Sequence, residues 1–405
     1  MLQGKKIILG ITGGIAAYKS VYLLRLLKKA GAEVKVVITP ATKEFVGELT
    51  FSTLSENPVF EGLWSAQWSA HVEMGLWADV MLVAPCTTNT LAKFANGLCD
   101  NALTAVYLAA KCPIIIAPAM DRDMFLHPAT QKNMQTLQSY GNTVLPTGNG
   151  FLASGLEGWG RMLEPEEIFE ALVSHVTPKI LQGKKVMITA GPTQEALDPV
   201  RYLSNHSTGK MGIALATEAM RMGAEVTLII GPSHISIPAG IQVKKIISAQ
   251  DMLFAVREHK DNQDIMLFSA AVADYTPTEV SDKKIKKKTD DFHLSLQKTV
   301  DILAETVAQK RPEQIILGFA LETNNEMEHA HKKLITKNAD FIVLNSMQDA
   351  GAGFGHDTNK ITLLHKSGTV THFPLKSKRE VARDILTTIV EVHADERGFE
   401  QISQI

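Results

Sequence analysis

The sequence predicts an α/β protein of two doubly wound domains with mainly parallel sheets. Three observations predict it. Short runs rich in Val and Ile alternate with longer amphipathic stretches, the pattern of parallel strands buried on both faces by crossover helices. The 405 residues are about twice the usual span of one domain. The two halves also echo each other: GKKIILGITGG at 4–14 resembles GKKVMITAGPT at 183–193, and GAEVKVVITP at 31–40 resembles GAEVTLIIGP at 223–232. Such an echo is either descent by duplication or the helix, glycine and Val-rich strand that any doubly wound unit repeats. Both readings imply two Rossmann-like, nucleotide-type domains.

In the first half the expected strands are Lys6–Ile11, Val34–Thr39, Val80–Ala84, Ile114–Ala117 and Thr143–Leu145, with helical stretches at Ala16–Ala30 and Leu91–Ala110. In the second half Lys185–Thr189, Val226–Ile230, Ile265–Ser269, Ile315–Gly318 and Phe341–Asn345 play the same part. HVTPKILQGK at 175–184 joins a helical pattern to the second opening strand, so the domains are expected at 1–180 and 181–405. KKIKKK at 283–288, followed by a short alternating run, reads as a basic loop or hairpin.

Lys plus Arg number 41 against 43 Asp plus Glu, a net charge of −2, so no global basic field exists to hold nucleic acid or anionic membrane. Cys86, Cys99 and Cys112 form neither a CxxC pair nor an even framework, which argues against a zinc module or an oxidised secreted scaffold. Gly10 interrupts the opening apolar run too early for a secretory segment, and no apolar stretch is long enough to span a bilayer. A cytoplasmic enzyme with local anion sites is the expectation.

A glycine turn between a first strand and its helix exposes backbone N–H groups at a positive helix terminus, which suits a phosphate. Gly10-Ile-Thr-Gly13-Gly14 fits that role, although tight strand–helix packing uses glycine in the same way. The turn is not GxGxxG, and the second strand ends Ile38-Thr39-Pro40 without an acid for a ribose, so a mononucleotide fits better than a nicotinamide dinucleotide. Thr12 and Thr39 offer hydroxyls to such a phosphate. Thr87, Thr88 and Asn89 open the helix after the third strand, where they can cap it, donate to a ring edge, or do both. His71 has no nearby His or Cys with which to make a metal set. In the second half Ala190-Gly191-Pro192-Thr193 gives a phosphate-cradling turn, and Ser204-Asn205-His206-Ser207-Thr208-Gly209-Lys210 sets hydroxyls, an amide and a cation before a helix starting near Met211. His329 and His331, two apart on a helix, read as solvent-facing and non-ligating.

At these residues the chain resembles a known family. GITGGIAAYK at 10–19, HVEMGLWAD at 71–79, APCTTNTLAKFANG at 84–97 and PAMDRDM at 118–124 are similar to flavin-dependent cysteine decarboxylases of the phosphopantothenoylcysteine decarboxylase type, with a flavodoxin-like fold. ITAGPTQEALDPVRYLSNHSTGKMG at 188–212, AAVADY at 270–275, KIKKK at 284–288 and GFALETNN at 318–325 resemble phosphopantothenate-cysteine ligase. Together the motifs cover nearly the whole chain.

The first resemblance implies FMN bound by Gly13, Gly14, Thr39 and the turn containing Pro85, Thr87, Thr88 and Asn89, usually between subunits of a trimer. His71 falls on the family's active-site histidine. The family reaction oxidises the cysteine moiety of 4'-phospho-N-pantothenoylcysteine, and carbon dioxide leaves because the remaining electrons are delocalised. Two departures bear on this half. The family motif commonly reads PAMN, whereas this chain has Asp121, which when ionised only accepts hydrogen bonds; protonation by burial or an offset from Arg122 would restore it. In LASGLEGWGRM at 152–162 the family's proton-supplying cysteine is replaced by Ser154, a far weaker acid.

The second resemblance implies that the carboxylate of 4'-phosphopantothenate attacks the α-phosphate of CTP, with Mg2+ accompanying the triphosphate, and that the amine of cysteine then displaces CMP. Asn205 matches the family asparagine of the activation step, with Arg201 beside it as a substrate ligand. Lys284 matches the lysine linked to conversion of the acyl cytidylate. Asp274, Phe319, Lys333 and Lys337 match nucleotide-contacting positions, as do Val300, Asp301, Ile302 and Leu303, where Val300 replaces a proline common in the motif. The whole implies a bifunctional enzyme of coenzyme A biosynthesis. It is expected to be a homo-oligomer, with trimers through the flavin half and dimers through the ligase half combining into a closed assembly such as a dodecamer. The alternative is an active ligase carrying a catalytically silent FMN-binding scaffold.

Overall fold

The computed structural model describes residues 2–62, 69–286, 293–322, 324–346 and 355–396. The chain divides into two compact units, Met1–Thr177 and Pro178–Ile405.

The first unit runs β1 (Lys6–Ile11), α1 (Ala17–Lys29), β2 (Glu33–Ile38), α2 (Glu48–Ser55), α3 (Ala70–Trp77), β3 (Val80–Cys86), α4 (Thr88–Asn96), α5 (Ala102–Ala109), β4 (Ile114–Pro118), α6 (Arg122–Leu126), α7 (Pro128–Ser139), β5 (Thr143–Val144), β6 (Gly148–Phe151), β7 (Glu157–Arg161) and α8 (Pro165–Val176). Its parallel sheet has the order β2-β1-β3-β4-β5. Alternate residues of β1 feed two cores: Ile7, Leu9 and Ile11 pack with Leu23, Leu27 and Leu172, whereas Ile8 packs with Leu91, Phe94 and Leu103 on the opposite face. The chain leaves β1 first for β2 and later for β3 on the other side. The C-terminal end of β1 is therefore a topological switch point, where open α/β sheets leave a crevice.

The stretch Leu91–Ala110, expected to be helical throughout, is two helices. Gly97 ends α4 in the left-handed conformation (φ 66°), and Asn101 starts α5 by accepting from the Thr104 N–H at 3.1 Å in a capping box.

The second unit runs β8 (Lys185–Ala190), β9 (Gln194–Ala196), β10 (Tyr202–Ser204), α9 (Lys210–Arg221), β11 (Glu225–Ile230), β12 (Gln242–Lys245), α10 (Ala249–His259), β13 (Ile265–Phe268), β14 (Tyr275–Pro277), β15 (Leu296–Lys298), α11 (Ile302–Ala308), β16 (Ile315–Glu322), α12 (Glu326–Lys337), β17 (Phe341–Ser346), β18 (Thr358–His365), β19 (Val370–Ser377) and α13 (Lys378–Glu396). Its main sheet has the order β12-β11-β8-β13-β16-β17-β18-β19. The strands are parallel from β12 to β17, and β18 and β19 are added antiparallel. This antiparallel ribbon is a departure from the expected repeat of parallel strands. Here the switch point is the end of β8, between β11 and β13. The buried Glu218 of α9 receives Arg221 of its own helix and Arg383 of α13 at 2.9 Å, fastening the two helices. Burial, helped by the neighbouring Arg379 and Arg383, lowers the Arg221 guanidinium to about 9.

The basic segment lies between β14 and β15, an antiparallel pair in which Tyr275 faces Lys298. Lys283, Lys284 and Lys286 are exposed on the arm that leaves β14; Lys287 and Lys288 lie outside the described residues.

Candidate active sites

In the first unit the switch point is stitched by threonines. The Thr12 hydroxyl donates to the Pro85 carbonyl at 2.9 Å and accepts from the Thr87 N–H at 3.1 Å. The Thr39 hydroxyl accepts from the Gly13 N–H at 3.2 Å and pairs with the Thr42 hydroxyl, which donates to the Ile11 carbonyl. Both Thr12 and Thr39 are buried, and their hydroxyls fix the loops to one another. Glycine is required at position 13 because a Cβ there would lie 2.5 to 2.7 Å from Ala41.

Beside this stitching lies a cavity of about 460 Å³, lined among others by Gly14, Ile15, Lys19, Pro85, Thr87 and Thr88 and closed by Met120, Asp121, Ser154 and Arg161. Thr87 occupies the N-cap of α4 without a side-chain capping bond, which leaves its hydroxyl for the cavity. Largely apolar walls with a few hydroxyls suit a flat ring system with a polar edge, so these residues fit a flavin. The β6–β7 hairpin reaches the cavity because its glycines admit the segment after β4. The Met120 N–H donates to the Gly160 carbonyl at 2.9 Å, and a Cβ on Gly160 would sit 2.6 Å from the Met120 carbonyl oxygen.

Asp121 and Ser154, far apart in sequence, thus line one cavity with Pro85, Thr87, Thr88 and Gly14. Gly13, Thr39, Asn89 and His71 do not line it; His71 is half-buried near the start of α3. Arg161 on the cavity wall is bonded to Glu164 at 2.7 Å, whereas Arg122 is exposed and runs along Gly158. Sequence reasoning missed Arg161 and Lys19. The Lys19 ammonium is buried, donating to the Met162 carbonyl at 3.1 Å and to Glu164 at 2.9 Å, and together with Arg161 it holds the Glu164 carboxyl below its ordinary range.

In the second unit two hollows adjoin at the C-terminal edge of the sheet. One, of about 500 Å³, gathers Asp274, Val300, Asp301, Ile302, Leu303, Phe319, Lys333 and Lys337, all singled out from sequence, with Tyr275 and Lys298 from the roots of the β14–β15 pair. The other, of about 340 Å³, is lined by Asn205, Ser207 to Gly212, Asn345, Asn359 and Lys378, and shares Asp274, Phe319 and Lys333 with the first.

Local chemistry fixes these side chains. Asn205 donates to the Ala271 carbonyl at 2.9 Å, which aims its amide across the turn after β13. Asp301 caps α11 by accepting from the Ala304 N–H at 2.8 Å and binds the Lys337 ammonium at 2.5 Å. Burial raises the Asp301 carboxyl, but Lys337 and the cap outweigh it, so it ionises below its ordinary range. Lys333 donates to the Phe319 carbonyl at 2.8 Å. Lys378, which sequence reasoning missed, is buried and donates to the His356 carbonyl at 2.6 Å; burial and the Lys210 charge make it less basic than an ordinary lysine. Helix α9 starts at Lys210 behind Gly209 (φ 81°), with no side-chain cap, so its first N–H groups face the second hollow.

Two sequence-derived residues stand apart. Lys284 lines neither hollow. Arg201 is held by Asp198, at 3.1 and 2.6 Å, and donates to the Ile285 carbonyl at 3.1 Å. Among the described residues, no group of three or more His, Cys, Asp or Glu side chains is arranged to hold a metal ion, and no helix is long and apolar enough to cross a membrane. His329 and His331 of α12 are both exposed.

Residues 1–177 match the family described as Flavoprotein, and residues 181–392 match the DNA/pantothenate metabolism flavoprotein C-terminal domain. The chain is 44% identical to the coenzyme A biosynthesis bifunctional protein CoaBC of Bacillus subtilis, over 96% of this chain and 97% of that protein. Its identity to the protein of the same name from Haemophilus influenzae is also 44%, over 96% and 98%. It is 49% identical to a cysteine/cysteine sulfinic acid decarboxylase of an unknown prokaryotic organism, over 84% of this chain and 98% of that protein.

Proposed function

Since this chain belongs to the family of coenzyme A biosynthesis bifunctional proteins, we propose that its second unit couples 4'-phosphopantothenate to cysteine with CTP and that its first unit decarboxylates the product to 4'-phosphopantetheine with FMN. The observation that carries the reading is the assembly of Asp274, Val300 to Leu303, Phe319, Lys333 and Lys337 around one cavity that opens into the Asn205 hollow.

In the second unit the acid's carboxylate oxygen attacks the α-phosphorus of CTP and pyrophosphate departs. The cysteine amine then attacks the acyl carbon, loses a proton, and CMP leaves. Phosphoryl chemistry of this kind asks for positioning and charge neutralisation. The Lys298, Lys333 and Lys337 ammonium groups supply it for the triphosphate together with Mg2+, which travels with the nucleotide. The N-terminus of α9, Lys210 and Lys378 supply it in the adjoining hollow for the substrate's own phosphate.

In the first unit a bound flavin supplies the redox chemistry that makes carboxylate loss possible. The residues of the chain hold and orient. Gly14, Pro85, Thr87 and Thr88 receive the ring, and Asp121 and Arg161 line the wall that the substrate carboxylate meets. Ser154, on the exposed β6–β7 turn, hydrogen-bonds near the departing group and leaves proton supply to His71, Asp121 or water. His71 does not line the cavity of its own chain, and Ile15 just before α1 and Tyr18 and Tyr22 on it are exposed. Both facts favour a trimer in which a neighbouring copy brings His71 to the site. Dimers through the second unit would close the assembly, and the enzyme is cytoplasmic in this reading.

A second reading is favoured by Asp121 and Ser154 together: the first unit binds FMN as a scaffold without turnover. Supplying purified 4'-phospho-N-pantothenoylcysteine to the FMN-loaded protein separates the two. Carbon dioxide release supports the enzyme; a yellow protein that releases none is the scaffold. Cysteine and cysteine sulfinate, tried in parallel, test whether the smaller substrates named for one relative are taken instead.

A further inference from the structure

The basic arm that carries Lys284 is held by one buried carboxylate. Asp198 sits in the turn between β9 and β10, and its side chain is fully buried. One oxygen accepts from the Val200 and Arg201 N–H groups at 2.8 and 2.9 Å. The other accepts from the Arg201 guanidinium and, across 87 residues of sequence, from the Ile285 N–H at 3.1 Å. Arg201 then returns a bond to the Ile285 carbonyl at 3.1 Å. The pair therefore engages both backbone groups of Ile285, as a neighbouring strand would. A further bond, from the Ser281 N–H to the Leu197 carbonyl at 3.0 Å, aligns the arm with the same turn.

From this geometry we infer that Asp198 is a positioning residue for the ligase reaction: with Arg201 it clamps Ile285 and so sets where its neighbours Lys284 and Lys286 stand on the arm whose roots line the nucleotide cavity. The inference rests on the ligase reading above and extends it to a residue that touches no cavity. It also changes the expected part of Arg201, whose guanidinium holds the arm. The roots of the arm make the link to chemistry, because Tyr275 and Lys298, on the two strands flanking the basic segment, both line the nucleotide cavity. A carboxylate is suited to this task because it accepts several hydrogen bonds at once, and those from a guanidinium are charge-assisted. An amide at the same place keeps one acceptor oxygen but turns an N–H toward Ile285.

The test is a double-mutant cycle in the full-length, FMN-loaded protein, read as CMP formation from 4'-phosphopantothenate, cysteine, CTP and magnesium. Asp198→Asn is expected to lower ligase kcat/KM for CTP about tenfold or more, and Lys284→Gln to lower it as well. If Asp198 acts through the arm, the double variant loses little beyond Lys284→Gln alone. Losses that multiply, or an Asp198→Asn variant with unchanged ligation, overturn the inference. Ile285→Pro removes the clamped N–H without touching Asp198 and decides the matter if Asp198→Asn does not fold; it should reproduce the loss, and wild-type ligation by this variant overturns the inference. Wild-type protein that forms no CMP at all counts instead against the ligase reading.

Discussion

The Lys19 ammonium lies 2.9 Å from the Glu164 carboxylate and 3.1 Å from the Met162 carbonyl, although 145 and 143 residues separate them in sequence. It forms part of the flavin-type cavity wall and joins the first helix of the unit to the start of its last. Lys19→Met keeps much of the apolar stem but leaves the buried Met162 carbonyl without its donor. The expected cost is about 1–3 kcal/mol, read as an earlier thermal unfolding transition of the first unit and weaker retention of FMN.

Gly13→Ala should be more severe for the cofactor than for the fold of the second unit. The added Cβ would meet the backbone of Ala41 at 2.6 Å, so the loop that carries the Thr39 contact must move. Purified variant protein should lose its flavin absorbance while CMP formation continues.

His71→Asn should abolish decarboxylation while the protein stays yellow and the ligase half continues to make phosphopantothenoylcysteine. Loss of FMN in this variant would assign His71 to cofactor binding instead. Mixing His71→Asn protein with an inactive variant altered at Asp121 tests whether the site is shared between copies: activity regained on mixing, through subunit exchange, is the expected result.

Glu218→Gln removes the carboxylate that Arg221 and Arg383 share in the α9–α13 interface. Leaving buried guanidinium charge uncompensated is expected to cost about 3–5 kcal/mol, visible as a lower denaturant midpoint for the second unit with the first unit unaffected.

Acid should loosen the second unit partly through Asp198. Its contacts with Arg201 hold the carboxyl well below the ordinary value of 3.8. The unfolded chain therefore takes up that proton at a higher pH than the folded one. The stabilisation is fully present above the unfolded value and is lost as pH falls through the folded one. Asp198→Asn should flatten the acid limb of the pH–stability curve; an unchanged slope would contradict the assignment.

The parallel core was legible because its strands are nearly continuous Val and Ile runs bounded by glycine turns, so Lys6–Ile11 and the ends of β3, β8 and β16 all lie where the pattern places them, within a few residues. Leu91–Ala110 was misjoined because both flanks favour helix; the Asn101–Thr104 capping box was the readable signal of the break. The antiparallel β18–β19 ribbon was readable too, because only Lys366 to Thr369, with Gly368 in the left-handed conformation (φ 93°), separate the two strands, and so short a loop joins antiparallel neighbours. In the sites, motif residues such as Thr87 and Phe319 could be found by type and order. Lys19, Lys378 and the Asp198–Ile285 clamp could not, because each draws its meaning from partners brought near only by the fold.

The most direct test is one coupled reaction, followed by mass spectrometry, of the purified FMN-loaded protein with 4'-phosphopantothenate, cysteine, CTP and magnesium. The account predicts 4'-phosphopantetheine accumulating together with CMP, which requires both units to act in this chain despite Asp121 and Ser154. Phosphopantothenoylcysteine accumulating with CMP, and no 4'-phosphopantetheine, would contradict it and leave a ligase with a flavin-binding scaffold.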